Sequence, residues 1–350
     1  VALTPGIFLD VMGLTIDRQA ALQAYDLKVS FRQPRSDDVV GEITGWPGVT
    51  TAEGIIEFPV RLRVAGREAT TFLLGLPADG RLLALETRPR PETILLARGL
   101  AQELQARPGA MVTVETPFGA GDFPLEGTVV YPLGRPAVLS LPDAQGVTTL
   151  PQGIADLLSA SGLGLAGAVA DPVTAVLVGV APGQLEAVRE RLYALPAAER
   201  VEASATIRAD LNELLGFSAT FMRVMFGFAA ALGFAVLYAI TVVNVLERRR
   251  ELATLRTLGG TTGEVGWVVT GELLAVGLLG LLLGLPLGVV IAEKSLETFQ
   301  KIFALGVVLL PRTALVIAGA TLAILVVSEV PSLVALARLD LAQATRERAT

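Results

Sequence analysis

The chain's chemical inventory is short, because its 350 residues contain neither cysteine nor histidine. Thiolate nucleophiles, disulfides, imidazole bases and the commonest zinc ligands are excluded together, leaving carboxylates, hydroxyls and basic groups. A P-loop needs a glycine-lysine pair ahead of Ser or Thr, so that backbone amides and an ammonium cradle the phosphates. None of Lys28, Lys294 and Lys301 follows a glycine. Gly162, Gly164 and Gly167 in "GLGLAG" have dinucleotide-fingerprint spacing. They follow a helical pattern rather than a strand, which reads as a flexible loop. Asp37 with Asp38, and Glu186 with Glu190, are paired carboxylates whose simplest reading is a solvated cap and a solvated helix face. No catalytic residue, metal ligand or cofactor follows from this set, so the chain is not expected to be an enzyme.

The residues with more to say are charged and lie between apolar segments. "NVLERRRELATLRTLGG", residues 244–260, carries four arginines and two glutamates between two membrane-grade stretches. Val224 to Leu246 is 23 residues without a charge, and Leu273 to Ala292 is another 20. At about 1.5 Å per residue each can cross a hydrocarbon core of roughly 30 Å. The apolar pattern of the second begins near Val265 and encloses Glu272. A third stretch runs from Thr313 to Ala337 and contains Glu329 and Pro331. With 52% hydrophobic residues and a mean hydropathy of +0.60, the composition is that of an integral membrane protein in contact with the lipid bilayer. A net charge of −6 gives no global basic surface, so no nucleic-acid partner is expected.

Arginine placement predicts the topology. Arg248, Arg249, Arg250 and Arg256 lie between spans one and two, and Arg338, Arg346 and Arg348 follow span three. Basic residues close to spans favour the cytoplasm, which puts the loop 293–312 and the large N-terminal region outside. That region predicts an α/β domain over 25–200. Strands are expected in "YDLKVSF", "GIIEFPVRLRVAG", "REATTFLLGLP", "AMVTVETP", "PLEGTVVYPLG" and "TAVLVGV". Helices are expected in "SDDVVGEITG" with Ser36 as N-cap, in 91–104, in "LPQGIADLLSAS" and in 182–195. A stalk helix at 201–218 then runs, with no breaker, into the span at 219–246. The remaining divisions are a connector at 1–24, a coupling helix and loop at 247–264, spans at 265–292 and 313–338, and a tail at 339–350.

Two intramembrane features invite a role. Gly280, Gly284 and Gly288 form a smooth face on span two that suits close approach of a helix, from this chain or from a second permease copy, and Pro286 within it predicts a bend. Glu329 is an ionisable group in span three, where charge is costly and functional by default. The nearby Pro331 and Arg338 favour a position from which it snorkels or pairs at the interface. "LERRRELATLRTLGG" has Leu246, Leu252, Leu255 and Leu258 near helical spacing and Gly259 where a C-cap falls, predicting an amphipathic helix at the membrane surface.

The stretch from Glu247 to Gly288, "ERRRELATLRTLGGTTGEVGWVVTGELLAVGLLGLLLGLPLG", resembles the signature of FtsX-like (MacB-type) ABC transporter permeases. The ending "PSLVALARLDLAQATRE" is similar to theirs, as are "YDLKVSFRQP", "WPGVTTAEGIIEFPVRLRVAGRE" and "LGLPADGRLLAL" to their outside domain. The resemblance implies four membrane helices per unit, so the three spans here would be the second to fourth and the first would precede Val1, in a larger or duplicated permease. It implies a coupling helix docked on a separate ABC ATPase, with Glu247, Arg248, Arg249, Glu251 and Arg256 as polar contacts and Leu252, Leu255 and Leu258 as packing contacts. It further implies a bacterial inner-membrane location, a second permease copy or half, an optional membrane-fusion adaptor, and mechanotransmission or export, including efflux. A scaffold regulating cell-wall hydrolases and a membrane-anchored sensor or enzyme are the alternatives.

Overall fold

The computed structural model describes residues 3–149, 171–300 and 311–337. It divides into two units: Gly13–Leu214 with Glu297–Gly306, and Val1–Met12 with Leu215–Leu296 and Val307–Thr350.

The first unit is an α/β domain of two lobes. Strands β1 (Leu27–Ser36), β2 (Val49–Val64), β8 (Pro172–Val180) and β9 (Ala198–Ala203), with helices α2 (Asp38–Thr44) and α5 (Leu185–Tyr193), run strand-helix-strand twice in the chain. Their spatial order is β2-β8-β1-β9 and each neighbour pair is antiparallel, the arrangement of a split βαβ pair. Between β2 and β8 the chain builds the second lobe from β3 (Arg67–Leu76), β4 (Ile94–Ala97), β5 (Met111–Glu115), β6 (Ala120–Val129) and β7 (Ala137–Ser140), with α3 (Arg98–Glu103) and α4 (Leu141–Thr148). The 16-residue β2 belongs to both lobes: Val49 to Ile55 pairs with β8, and Ile56 to Val64 pairs with β3. A strand shared in this way ties two hydrophobic cores together by main-chain hydrogen bonds. One core gathers Leu27, Ile43, Val176 and Leu192, the other Leu62, Leu73, Leu96 and Val114. Ile55, Leu74, Leu95 and Leu177 pack between them with Tyr25 and Tyr131. Burial pushes the Tyr131 phenol up to about 12, so it stays neutral in this apolar seam.

Several expectations are corrected. Residues 94–97, expected as helix, form the short parallel-paired strand β4, buried along its whole length, and the helix begins only at Arg98. A continuous apolar run of four has no face to distinguish strand from helix, and burial on both sides selects the strand. The N-cap of α2 is Asp37 rather than Ser36, whose hydroxyl instead donates to Asp38 Oδ2 at 2.8 Å. β7 and β9 have no counterpart in the sequence reading. "VEA" at 201–203 closes β9, so the following helix starts at Ser204. The helix expected in "LPQGIADLLSAS" and the "GLGLAG" loop lie outside the described residues.

The second unit is helical. α6 (Ser204–Glu247), α8 (Thr262–Gln300) and α9 (Pro311–Ala337) contain stretches long and apolar enough to cross a membrane, at Gly216–Glu247, Gly263–Ile291 and Pro311–Ser328. α6 is a single helix of 44 residues, and α8 continues through Pro286. Large apolar side chains such as Phe228, Leu282 and Leu315 point away from the protein, as lipid-facing side chains do. Where α8 meets α9, a Cβ at Gly277 would lie 2.1 Å from Leu325 Cδ1, so glycine is what admits the buried leucine. A crevice of about 200 Å³ separates α6 from α9, lined by Ala229, Ala230, Gly233 and Ala320 among others. The first residues, read from sequence as a connector, contain helix α1 (Leu3–Leu22). Its Asp10, 8% exposed, accepts from Thr313 Oγ1 at 2.5 Å and pairs with Arg312 at 3.5 Å at the start of α9.

Candidate functional site

The charged stretch between the first two spans folds into a closed hairpin. α6 ends at Glu247, and a nine-residue helix, α7 (Arg249–Thr257), follows. The helical ladder persists across the corner: the Arg248 amide donates to Asn244 O and the Leu252 amide to Arg248 O, both at 3.0 Å. α7 terminates at Gly259, whose φ of +100° is the left-handed conformation a helix end favours, and the Gly260 amide donates back to Leu255 O at 3.1 Å. One residue later α8 opens on a capping box: the Glu264 amide donates to Thr261 Oγ1 at 3.3 Å, while Glu264 Oε2 accepts from the Thr261 amide at 2.8 Å.

The side chains of α7 divide between an inner and an outer face. Leu252, 3% exposed, packs with Val245, Val265 and Leu325, joining α7 to α6, α8 and α9. Leu255 and Leu258 are 44% and 81% exposed, and Glu247 and Glu251 are exposed beside them. The helix therefore anchors through one leucine and presents the others. Arg248 holds the corner: its Nε donates to Glu251 Oε2 at 3.1 Å and its Nη1 to Glu272 Oε2 at 2.5 Å. The two carboxylates, Glu251 first, raise the guanidinium above its ordinary range. The side chains of Arg249, Arg250 and Arg256 lie outside the described residues, as does that of Glu329, which the backbone places in α9. On α8, a Cβ at Gly280 or Gly284 would meet nothing within 4 Å, while Gly288 is buried. Among the described residues, Glu272 is a charge within a span that is partnered from outside its own helix; it lies inside an apolar run, but a partner 24 residues away has no sequence signature.

A second concavity lies in the α/β domain, between its lobes. It encloses about 600 Å³ and is lined by Asp37 and Val40 of the first lobe, the 51–54 stretch of β2, the 77–81 loop and Leu141. Glu53 Oε1 accepts from the Arg81 and Leu82 amides at 2.5 and 3.0 Å, and Arg88 donates to Pro77 O and Leu83 O, both at 2.8 Å, so the loop is fixed. Partial burial, then Asp171 and Asp38, raise the Asp37 carboxyl above its ordinary value. Glu186 pairs with Arg189 on the outer face of α5. Among the described residues no group of His, Cys, Asp and Glu has the arrangement of a metal site.

The helical unit matches a known family. Residues 223–340 fit the FtsX-like permease C-terminal model. This part of the chain is similar to the C-terminal domain of FtsX-like permeases. An uncharacterized ABC transporter permease of Mycobacterium tuberculosis (strain ATCC 25618 / H37Rv) is 32% identical over 99 residues, 28% of this chain and 12% of that protein. The match thus spans about an eighth of the relative's length. Among solved structures, the chain is similar to the extracellular domain of the noncanonic ABC-type transporter YknZ from Gram-positive bacteria, with 11% identity over 51% of this chain and 98% of that one and a TM-score of 0.32. It is also similar to the periplasmic region of MacB from Actinobacillus actinomycetemcomitans, with 11% identity over 55% and 94% of the two chains and a TM-score of 0.35. The FtsX-like match begins within α6 and takes in the α7 hairpin, α8 and α9.

Proposed function

We propose that the chain is a permease subunit of an ABC-type complex in the bacterial plasma membrane, in which α7 is the coupling helix for a separate ATPase and the α/β domain is extracytoplasmic. The arginines at 248, 249, 250 and 256 support this orientation, because basic residues beside a span favour the cytoplasm, which would put the hairpin there and the α/β domain, one span away, outside. The observation that carries the reading is the two-sided character of α7 within a permease-family domain. Leu252 fastens the helix to its own bundle, while Glu247, Glu251, Leu255 and Leu258 form a mixed polar and apolar surface left exposed among the described residues. Arg249 and Arg256 extend the same helix and would add polar contacts. Nucleotide-driven movement of the ATPase would displace α7, and the uninterrupted α6 would carry the displacement towards the α/β domain for mechanotransmission or export. A second permease copy or half would complete the assembly, with the open Gly280 and Gly284 face as one place for it to pack, and a membrane-fusion adaptor is a further partner on the outside.

Because the chain has no native cysteine, the test is direct. A photo-crosslinker at Leu258 should capture an ABC ATPase from the source membranes, and one at Leu282, on the lipid-facing side of α8, should not. Equal capture from both positions, or from neither, contradicts the assignment of α7.

A further inference from the structure

We infer that the Arg248–Glu272 pair is a positioning strut that makes the α7 hairpin and α8 move as one body. The inference rests on the reading of α7 as the coupling helix but concerns how its movement enters the membrane. The apolar cluster around Leu252 is non-directional, so it resists separation of the helices and gives little resistance to sliding. The turn at Gly259–Thr261 joins α7 to α8 at one end only, and a joint at one end leaves a hinge. Arg248 supplies the second point. It sits at the opposite end of α7 from that turn, and its partner Glu272 lies ten residues beyond Thr262, about 15 Å along α8. Turn, apolar cluster and ion pair then close a triangle, and a triangle fixed at three points cannot fold at the hinge.

The choice of residue types agrees with a geometric role. One guanidinium serves two carboxylates on two helices, with Nε directed at Glu251 of α7 and Nη1 at Glu272 of α8. A planar fork holds both directions at once, which the point charge of a lysine does not. Glu272 lies inside the apolar stretch Gly263–Ile291, where a carboxylate is disfavoured unless paired. Positive-inside topology needs only the arginine and makes no use of an acid at that depth.

The experiment uses the full chain in lipid nanodiscs, with nitroxides on cysteines introduced at Thr257 and Val276, both exposed. The unmodified pair should give one narrow distance distribution. Glu272→Gln and Arg248→Lys should each broaden it or split it in two. The charge-swapped Arg248→Glu/Glu272→Arg should narrow it again, an outcome that a general packing defect would not produce. With an ABC ATPase bound, permease-stimulated ATP hydrolysis per bound ATPase should fall about fivefold or more in Glu272→Gln and recover in the swap. Distributions unchanged in both single variants, or a swap as broad as the singles, overturn the strut. A strut confirmed by the distances in a chain that binds no ATPase would count against the coupling reading alone.

Discussion

The α/β domain and the membrane helices obey the same packing physics in different solvents, and their apolar residues mean opposite things. In the domain, Leu62, Leu73 and Leu96 are wholly buried and form part of one core. In the helices, Phe228, Leu282 and Leu315 face outward, and the informative residues are the exceptions: Gly277 beneath Leu325, Asp10 against Arg312 and Thr313, and Arg248 between Glu251 and Glu272. Water makes burial of an apolar side chain favourable, whereas lipid is indifferent to it, so helix contacts there depend on close approach and on polar pairs.

The largest test of this contrast compares two leucines. Leu96→Ala should cost the α/β domain about 2 to 5 kcal/mol in denaturant unfolding, because a filled core position becomes a cavity. Leu282→Ala, at a site 69% exposed, should leave the thermal stability of the purified permease nearly unchanged. A large loss at Leu282 would show that protein, not lipid, covers that face. Next in size is a pair of glycines on α8. Gly277→Leu should separate α8 from α9 at a cost of about 1 to 3 kcal/mol, read as lost thermal stability in detergent. Gly280→Ala has open space and should be neutral in the isolated chain. If it instead weakens a dimer, the open face belongs to a second copy.

The smallest effect concerns Asp37, whose raised folded pKa makes its charged form unfavourable in the domain. A raised carboxyl contributes stability below its unfolded pKa of about 3.9 and loses it as pH climbs through the folded value. Asp37→Asn should therefore stabilise the domain at neutral pH by less than about 1 kcal/mol, the site being largely solvated, with the difference vanishing below about pH 4. As its side chain makes no cap hydrogen bond, no loss of helix capping offsets the gain. A stability difference that grows on acidification contradicts this account of the lobe cleft.

Legibility followed the same division. The membrane helices were readable because a long uncharged run has few alternatives, and the amphipathic α7 because its leucines and Gly259 mark its face and end. In the domain, alternating strands such as β2 and β3 were readable, while β4 and β7 are four-residue runs buried throughout, without alternation. Their identity as strands depends on parallel partners distant in sequence. At the hairpin, the arginines were legible as charge but not as geometry. That Leu252 turns inward while Leu258 turns outward is decided by Val265 and Leu325, and that Arg248 reaches Glu272 is decided by the turn between them.

If α6 relays motion between α7 and the α/β domain, as proposed, a break in that helix should uncouple the two. Leu214→Pro removes a main-chain hydrogen bond and kinks the helix in mid-course, with Leu214→Ala as the control for the lost side chain. The proline variant should still bind the ATPase, and the bound ATPase should still hydrolyse ATP but no longer couple hydrolysis to export, while the alanine variant remains coupled. Normal export by Leu214→Pro would contradict the relay.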